Sequence, residues 1–210
     1  MTRIEFTLIP VTPFTLTVSD VFKDLYNIKN LDLNFIFHVS SIKGMLRTAS
    51  IFGFRTLLGD GYSCEDMYNK TCPELTEEER KGLKMFPCPV CKTYGMLRFK
   101  GCSFFVKNLN EIVSAREELK YRFLFIGPYL VLVSKKPIDV LVVCNDKCSH
   151  LVILLGLYYV NIGIIRLGRF RSRGLGIFRV EIKDQELQKL FNDVSNLKEE
   201  LRKCLRVRLS

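Results

Sequence analysis

A polar, cysteine-bearing stretch at residues 60–93, here called the cysteine segment, constrains the fold more than any other part of the sequence. It has little hydrophobic periodicity, and compact domains seldom contain a structureless loop of that length unless it is functional or disordered. Its motif CPVC at 88–91 is a knuckle that turns two sulfurs towards one point. Because Zn²⁺ binds four thiolates tetrahedrally at about 2.3 Å, we predict a structural zinc ion. The predicted metal ligands are Cys64, Cys72, Cys88 and Cys91.

The ends and the apolar stretches of the sequence bear on localisation. The N-terminal sequence MTRIEFTLIPVTPFTL lacks a basic-then-apolar signal peptide and its cleavage site, so we do not expect export. The most apolar stretch, residues 151–165, contains Asn161 and is shorter than the roughly 20 residues that span a bilayer. We interpret it as a buried core helix that runs into a strand. The sequence therefore predicts a cytoplasmic protein without a membrane segment.

The cysteines admit a second interpretation, in which Cys88 and Cys91 are a redox pair or simply reduced thiols. A catalytic zinc site keeps an open position and usually includes His, and the cysteine segment contains none. Since cytosolic proteins seldom contain disulfides, we expect metal ligands or buried thiols rather than a disulfide framework. The cysteines outside the segment, which lie in apolar or helical contexts, are Cys102, Cys144, Cys148 and Cys204.

The chain is strongly basic, with 32 Lys and Arg against 22 Asp and Glu and a formal net charge of +10. A hydrophobic content of 48% excludes a disordered basic tail. A folded domain with this excess of positive charge usually binds a polyanion, and nucleic acid is the first expectation.

Part of this charge lies in residues 163–176, here called the glycine-arginine loop, which contains the motif GRFRSRGLG. The glycines let the backbone approach a phosphate closely while the guanidinium groups bind it from the sides. The alternative is a solvated basic loop, or arginines that pair with acidic residues elsewhere. The predicted phosphate-binding side chains are Arg166, Arg169, Arg171 and Arg173.

A second anion site is predicted at the sequence SSIKGMLR, residues 40–47. Ser40 and Ser41 lie at a helix start with Ser as the N-cap, and Lys43 and Arg47 share one helical face. The stretch lacks the Gly-x4-Gly-Lys-[Ser/Thr] pattern of a nucleotide P-loop, so we do not predict an NTPase. The alternative is an ordinary capped helix with two exposed cations.

Strand and helix patterns alternate along the chain, which predicts an α+β domain with helices on one face of a sheet. The predicted helices are an approximately 15-residue helix from Ser40 towards Gly59, a helix at 146–160 and one amphipathic helix at 184–205. The predicted strands are 3–18, 34–39, 95–107, 121–126, 129–133, 138–143 and 176–183, with a hairpin turn at Gly127-Pro128.

The motifs SSIKGMLR and GRFRSRGLG resemble the paired signatures of the RAMP superfamily, the RNA-binding backbone subunits of CRISPR effector complexes, particularly type III. CPVCKTYG at 88–95 is similar to an insertion frequent in that family, Cys-Pro-x-Cys-x-x-Phe-Gly. The three matches occur in the family's order and span residues 3–182. The sequence departs from the family at His38-Val39, where Pro-Gly is frequent, and residues 184–210 match no family motif.

The resemblance implies a single RAMP-like domain over 1–210 with a ferredoxin-like (RRM-like) antiparallel sheet. It also implies a zinc-binding insertion at 60–93 and a C-terminal helical extension at 184–210. The chain would bind crRNA beside other effector subunits in a filament-like ribonucleoprotein that serves antiviral defence. The implied RNA-binding set is Ser40, Ser41, Lys43, Arg47, Arg166, Arg169, Arg171 and Arg173.

Some type III backbone subunits cut target RNA with a loop Asp upstream of the Ser-Ser-x-Lys-Gly motif. Asp24 has the best spacing, and Asp20 and Asp32 lie in the same region. A carboxylate with a divalent metal such as Mg²⁺ would help the 2′-OH attack the adjacent phosphate. The alternative is a solvated Asp in a subunit that does not cut.

Two further functions are open. The first is a crRNA-processing endoribonuclease of the same superfamily, for which His38 and His150 are the candidate acid–base groups. The second is a zinc-stabilised interaction subunit that binds an acidic protein partner and no RNA.

Overall fold

The computed structural model arranges the strands of the chain in two antiparallel sheets. The residues it describes are 2–15, 39–97, 99–108, 123–126, 129–168 and 171–206. The strands are β1 (Thr2–Pro10), β2 (Phe14–Thr15), β3 (Ser103–Val106), β4 (Phe123–Ile126), β5 (Tyr129–Ser134), β6 (Ile138–Cys144) and β7 (Phe178–Ile182). The main sheet has the order β3-β6-β1-β7 and the second sheet the order β2-β5-β4, with neighbouring strands antiparallel.

The helices complete a mixed α+β architecture. They are α1 (Val39–Leu57), α2 (Cys64–Tyr68), α3 (Glu77–Lys81), α4 (Pro89–Tyr94), α5 (Lys147–Asn161), α6 (Gln185–Asn192) and α7 (Val194–Arg206). Around the main sheet the chain runs β1-α1-β3-β6-α5-β7, the element order of a ferredoxin-like domain. The predicted α+β class with an antiparallel sheet core is therefore confirmed.

The main sheet buries one face because its strands alternate apolar and polar side chains. Phe6 of β1 lies opposite Val140 of β6, and Leu8 lies opposite Ile138. These four side chains are almost fully buried. Helix α5 packs against β1, β6 and β7, and α1 packs against β3. The alternation read from the sequence thus produces the core directly.

Helix α5 is the innermost helix, because α1, α4, α7 and the main sheet all contact it. Every residue from Ser149 to Leu157 is buried, as expected for a helix that is apolar on all sides. The Asp146 carboxylate caps the helix by accepting the N–H of Ser149 at 3.0 Å. The chain turns after Asn161, so the strand expected to continue residues 151–165 does not form. No helix within the described ranges is long and apolar enough to cross a membrane.

Helices α1 and α5 approach each other closely at two glycines. A Cβ atom at Gly156 would lie 2.7 Å from Ser50 Oγ, and one at Gly53 would lie 2.6 Å from Leu155 Cγ. The buried Ser50 hydroxyl donates to Val152 O at 2.9 Å and is 2.9 Å from the hydroxyl of Tyr94. Tyr94 is the last residue of α4, a helix that begins inside the cysteine segment, so this hydroxyl links that helix to the core. Burial raises the pKa of Tyr94, which therefore stays a neutral hydrogen-bonding group.

The predicted elements are corrected in several places. The strand predicted at 3–18 divides into β1 and β2, which belong to different sheets. Helix α1 begins at Val39, so Ser40 lies inside its first turn rather than before it. The predicted strand 95–107 is shorter, because only Ser103–Val106 is a strand. The single helix predicted at 184–205 is two helices, because the Asp193 carboxylate accepts backbone N–H groups at 3.0 and 3.1 Å and starts α7 anew.

Helix α7 packs on the chain's own core. Leu197 and Leu201 are fully buried, and α7 contacts α5. The predicted residues 16–18, the strand at 34–38 and the Gly127-Pro128 turn lie outside the described residues, whereas β4 and β5 form the expected hairpin pair.

The expectation that the cysteines outside the cysteine segment are not disulfide-bonded is wrong. Cys102 is bonded to Cys144, and Cys148 is bonded to Cys204. The first disulfide joins the residue before β3 to the end of the neighbouring strand β6, and the second joins α5 to α7. The members of each pair are 42 and 56 residues apart in sequence, so only the fold brings them together.

The outer edge of β7 is closed by side chains. The Val180 N–H donates to Asn161 Oδ1 and the Ile182 N–H donates to Gln188 Oε1, each at 2.8 Å. A sheet edge exposes unpaired backbone groups that favour pairing with another strand, and these two amides satisfy part of that edge. Strand β7 therefore ends the main sheet on one side.

Candidate metal centre and nucleic-acid interface

The four predicted metal ligands of the cysteine segment come together. Their sulfur atoms all lie within 4.8 Å of one another. Cys64 Sγ is 3.5 Å from Cys88 Sγ and 3.4 Å from Cys91 Sγ. Tetrahedral zinc with bonds of about 2.3 Å places its sulfur ligands about 3.8 Å apart, close to these separations. The four thiols, all fully buried, therefore fit a structural zinc ion.

Local backbone structure sets the position of each sulfur. Pro89 starts α4 directly after Cys88, and the N–H of Cys91 donates to Cys88 Sγ at 3.4 Å. The N–H of Cys88 donates to Cys72 Sγ at 3.3 Å. Cys64 begins α2, whose N-cap is Ser63. Donors aimed at sulfur stabilise thiolates, which are the form that binds metal.

Short helices in the cysteine segment are features that sequence reasoning missed. The Thr71 and Glu74 side chains form a capping box at a 3-10 turn that starts at Cys72. Thr76 and Glu79 form a second capping box at α3. The pattern Thr-x-x-Glu at both places is a sequence-level signal of a helix start and would have located these turns.

Arg47 of α1 points at the cysteine cluster. Its guanidinium group donates to Cys91 Sγ at 3.3 Å, to Gly95 O at 3.0 Å and from Nε to Glu65 Oε1 at 2.6 Å. Burial opposes the charge, but the hydrogen bond and charge of Glu65 raise the pKa of Arg47 overall. Four zinc-bound thiolates leave a net negative centre, so a fixed cation beside it is electrostatically favourable. Arg47, predicted as an RNA ligand, is thus an internal partner of this centre.

The thiols of the cluster differ in proton affinity. Hydrogen bonds from the other three cysteines, Cys64 first, hold the pKa of Cys91 below the usual range of a thiol. Hydrogen bonding to its neighbours, Cys72 first, and burial raise the pKa of Cys64. Cys91 also accepts a hydrogen bond from Arg47 at 3.3 Å, so a fixed cation favours its thiolate form.

The start of α1 borders a cleft. Ser40 and Ser41 are exposed, and Lys43 is half-buried with Nζ 6.0 Å from the centroid of the Phe104 ring. Burial, followed by the charge of Arg47, lowers the pKa of Lys43. The cleft has a volume of about 630 Å³ and is lined by residues that include Ser40, Lys43, Phe99, Lys100, Phe104 and Phe105.

The glycine-arginine loop is held by its backbone. Leu167 N–H donates to Gly176 O, and Gly176 N–H donates to Pro13 O, both at 3.0 Å. A Cβ atom at Gly176 would lie 1.9 Å from Leu167 O, and its φ is +76°, so only glycine fits. Arg171–Arg173 form a 3-10 turn rather than an extended strand.

The arginines of this loop differ in what they contact. Arg166 turns back onto its own loop, donating to Arg171 O at 2.6 Å and to Gly163 O at 3.4 Å. Arg171 is exposed to solvent. Arg169 lies outside the described residues, and Arg173 is described only through its backbone.

The two predicted RNA-binding segments approach the main sheet at opposite edges. The cleft lies at β3, where Phe104 pairs with Val142 and Val142 with Ile4 near the start of β1. The glycine-arginine loop precedes β7 and contacts Pro13, beyond the end of β1. Three strand spacings across and about six residues along a strand give a separation of roughly 25 Å.

The remaining predicted site residues divide into two groups. Asp20, Asp24, Asp32 and His38 lie outside the described residues. His150 lies in the first turn of α5 with 7% of its surface exposed, and its Nε2 has no hydrogen-bond partner within the described part of the chain. Burial lowers the pKa of His150, which favours a neutral ring.

These features define a mixed α+β domain with a candidate four-cysteine metal centre. No family model matches the sequence, and no curated protein matches it. The structure is similar to apo Cmr1 from Pyrococcus furiosus, with a TM-score of 0.46 and 14% identity over 99% of this chain and 59% of that chain. It is also similar to Cmr6 from Pyrococcus furiosus, with a TM-score of 0.29 and 15% identity over 85% of this chain and 97% of that chain. The chain thus spans about three fifths of Cmr1, and likenesses at these scores carry no argument about function.

Proposed function

We propose that this chain is a crRNA-binding backbone subunit of a type III CRISPR ribonucleoprotein, a member of the RAMP superfamily that serves antiviral defence in the cytoplasm. It binds the phosphates of the guide RNA without reading its sequence, and it lies beside other effector subunits. The observation that carries the proposal is the form of the two signature segments. Each segment carries exposed hydroxyl or basic side chains on a backbone that packing or backbone hydrogen bonds hold in place.

The start of α1 supports phosphate binding through its exposed polar groups. The first N–H groups of a helix lack intrahelical partners and favour anions. Ser40 and Ser41 add exposed hydroxyls, and the described first turn of α1 contains no acidic residue to repel a phosphate. Lys43 follows on the helix and borders the cleft. A phosphate at this helix start would meet hydroxyl donors and one lysine.

The glycine-arginine loop supports phosphate binding in a different way. Leu167 is 3% exposed and anchors the loop in the core, while Arg171 remains in solvent. The bond from Arg166 to Arg171 O stiffens the turn that carries Arg171. A guanidinium held on a rigid turn loses little freedom when it binds a phosphate.

The distance between these two segments predicts how long a bound RNA must be. Because they are roughly 25 Å apart, a short strand reaches only one of them. We propose that one domain over residues 1–210 holds both, with 60–93 as its zinc-binding insertion and 184–210 as its C-terminal extension. The zinc ion fixes the insertion and takes no part in chemistry.

The test is the salt dependence of binding to single-stranded RNA of mixed sequence. If about five phosphates are contacted, log affinity falls against log salt with a slope of roughly −3.5, whatever the base sequence. Lys43→Ala and Arg171→Ala should each make the slope shallower by about 0.7. Arg179→Ala is the matched control, because Arg179 is exposed on β7 outside both segments. A flat salt response, or a strong base preference, contradicts the proposal.

Cleavage of target RNA by Asp24 with a divalent metal such as Mg²⁺ is a separable part of the proposal. It rests on the spacing of Asp24 before the Ser40-Ser41 motif. The assay is target cleavage by the intact complex with Asp20, Asp24 and Asp32 changed to Ala one at a time. Loss of cleavage with Asp24→Ala alone supports it, and retained cleavage in all three variants removes it.

The two other functions are outcomes of the same measurements. Purified protein that carries no nucleic acid and binds none supports the protein-interaction subunit. Cleavage of a repeat hairpin that is lost with His38→Ala supports the processing endoribonuclease. The buried, neutral-favouring position of His150 does not favour it as the acid–base group of such an enzyme.

A further inference from the structure

We infer that the cleft between the start of α1 and residues 95–97 and 99–105 is a base-binding subsite, which holds one unpaired base of single-stranded RNA against phenylalanine rings. The inference rests on the proposed function, because it names what the RNA does beside the phosphates bound at α1. It adds a base contact to a protein otherwise predicted to bind phosphates alone. Stacking on an aromatic ring tolerates any base, so a base contact is compatible with binding that does not depend on the RNA sequence.

The wall of the cleft is a tight hairpin that follows α4. Met96 and Phe99 exchange backbone hydrogen bonds of 3.1 and 2.9 Å, and the Cys102 N–H donates to Thr93 O at 2.7 Å. A Cβ atom at Gly101 would lie 2.2 Å from the backbone nitrogen of Gly95, so the two arms of the hairpin touch. These bonds therefore hold the backbone of Phe99 in a defined position.

Phenylalanine rings line this cleft. Phe99 is 51% exposed, which is high for a side chain that gains most from burial. Phe104 faces the α1 side of the main sheet, with its ring 6.0 Å from that of Tyr94 and nearly parallel to it. Phe105 is the next residue of β3, so its ring, also 51% exposed, faces the opposite side of the sheet. Phe99 thus offers an exposed ring to the cleft, while Phe104 and Tyr94 make a rigid backing. Rigid aromatic surfaces beside cations are the usual platform for unpaired bases.

The charge of the cleft matches a nucleotide rather than an apolar peptide. Lys43 and Lys100 line it, and none of its described lining residues is acidic. The Lys43 ammonium lies at the start of α1, where the helix dipole also favours an anion. The volume of about 630 Å³ is in the range of small-ligand sites. A planar group joined to a phosphate satisfies the rings and the lysines together.

Arg47 connects the cysteine cluster to this cleft. Arg47 donates both to Cys91 Sγ and to Gly95 O, and Gly95 is the first residue of the hairpin. The cysteine cluster, α1 and the hairpin therefore form one connected unit. The rings would keep their places before RNA binds, which reduces the entropy lost on binding.

The experiment compares two ligands of equal length and charge: a 12-nucleotide single-stranded RNA and an abasic phosphodiester strand. For Phe99→Ala, we expect affinity for RNA to fall about tenfold, with affinity for the abasic strand unchanged. Phe99→Tyr should retain wild-type affinity because its ring still stacks. Phe105→Ala should also retain it, because the Phe105 ring lies on the opposite side of the main sheet. The matched control is Phe86→Ala, since Phe86 is 46% exposed but lies in the cysteine segment outside the cleft.

The outcomes separate this inference from the proposed function. Wild-type protein that binds RNA with the expected salt slope, together with a Phe99→Ala variant that binds it equally well, overturns the base subsite alone. Wild-type protein that binds neither ligand overturns both. If Phe99→Ala instead changes the oligomeric state by light scattering and leaves RNA affinity unaltered, a second copy of the chain occupies the cleft and the inference is wrong. Melting temperatures of all variants, measured in parallel, establish that each is folded.

Discussion

The cysteine segment and the glycine-arginine loop both lack long regular structure, yet they are stabilised by different means. The cysteine segment depends on four side chains that converge on one point and are all fully buried. The glycine-arginine loop depends on backbone hydrogen bonds, such as that from Leu167 to Gly176, and on a glycine that no other residue replaces. Loss of metal should therefore destabilise the cysteine segment, whereas a change in backbone conformation should destabilise the glycine-arginine loop.

The comparison also shows that equal charges are not equally available to a ligand. Arg47 borders the cysteine cluster, and its side chain is only 20% exposed because it is bound to Glu65 and Cys91. Arg171 is exposed on its turn. A net charge of +10 therefore overstates the surface open to a polyanion, since part of it balances thiolates.

The largest expected effect comes from removing metal ligands. Cys88→Ser/Cys91→Ser should abolish zinc binding and unfold the cysteine segment, since structural zinc contributes on the order of 10 kcal/mol to folding. The measurement is zinc per chain by mass spectrometry, together with protease sensitivity of the segment. Cys102→Ser/Cys144→Ser is the control, because it removes a disulfide and leaves the four metal ligands intact. Wild-type protein without zinc would contradict the metal centre.

The second effect tests the backbone-held region with two glycines of the same loop. Gly176→Ala should lower the free energy of unfolding by about 3 kcal/mol, since a Cβ would meet the Leu167 carbonyl and the residue has positive φ. Gly174→Ala should cost about 1 kcal/mol, because φ is also positive but nothing lies within 4 Å of the added Cβ. Urea unfolding measures both. Equal losses would mean that close approach to Leu167 is not what requires glycine.

The third effect contrasts the two arginines. Arg47→Ala should lower stability by about 2 kcal/mol and weaken zinc binding, because Glu65 and Cys91 lose their charged partner. Arg47→Lys should recover only part, since lysine cannot make the forked contact. Arg171→Ala should change stability by no more than about 0.5 kcal/mol, as an exposed substitution. Thermal unfolding with zinc titration distinguishes these variants. An Arg47→Ala protein as stable as Arg171→Ala would show that the two arginines contribute equally to stability.

The smallest effect concerns α5, which begins beside the cysteine segment and ends at the glycine-arginine loop. Burial lowers the pKa of His150 in the folded chain, so the unfolded chain binds a proton first as pH falls. Stability should thus decrease below about pH 6.5 and be retained above it. The difference in unfolding free energy between wild type and His150→Gln, measured from pH 7.5 to 5.5, isolates this group. A difference that does not change with pH would contradict it.

Local signals in the sequence were sufficient for much of this structure. The CPVC knuckle and the two upstream cysteines identified all four clustered thiols, because ligand type and spacing are local properties. Runs of apolar residues likewise located β6 and α5 to within a few residues, and the strand pattern at 176–183 located β7. Alternation at 3–18 located the start of β1 but continued past its end at Pro10. The four-stranded antiparallel sheet followed from the family resemblance, and the structure confirms it.

Most of the features that the sequence did not reveal are long-range. Arg47 shares a helical face with Lys43, and only the placement of Glu65 and Gly95 turns it inward. The disulfides join residues in separate elements, which only the fold brings together. The expectation of no disulfides rested on a cytosolic location rather than on geometry, and it was therefore wrong. The break at Asp193 was missed because the apolar stripe continues across it, although Asp is a common helix cap.

The closed edge of β7 has a consequence for assembly. With the Val180 and Ile182 amides already bound to Asn161 and Gln188, a second molecule gains little by extending the main sheet there. Sheet extension would instead have to use β3, the strand that carries Phe104 and borders the cleft. A neighbour joined in that way and an RNA base in the cleft would compete for one margin of the molecule. Assembly through a neighbour's strand added at β3 would then exclude binding of an RNA base in the cleft of this subunit.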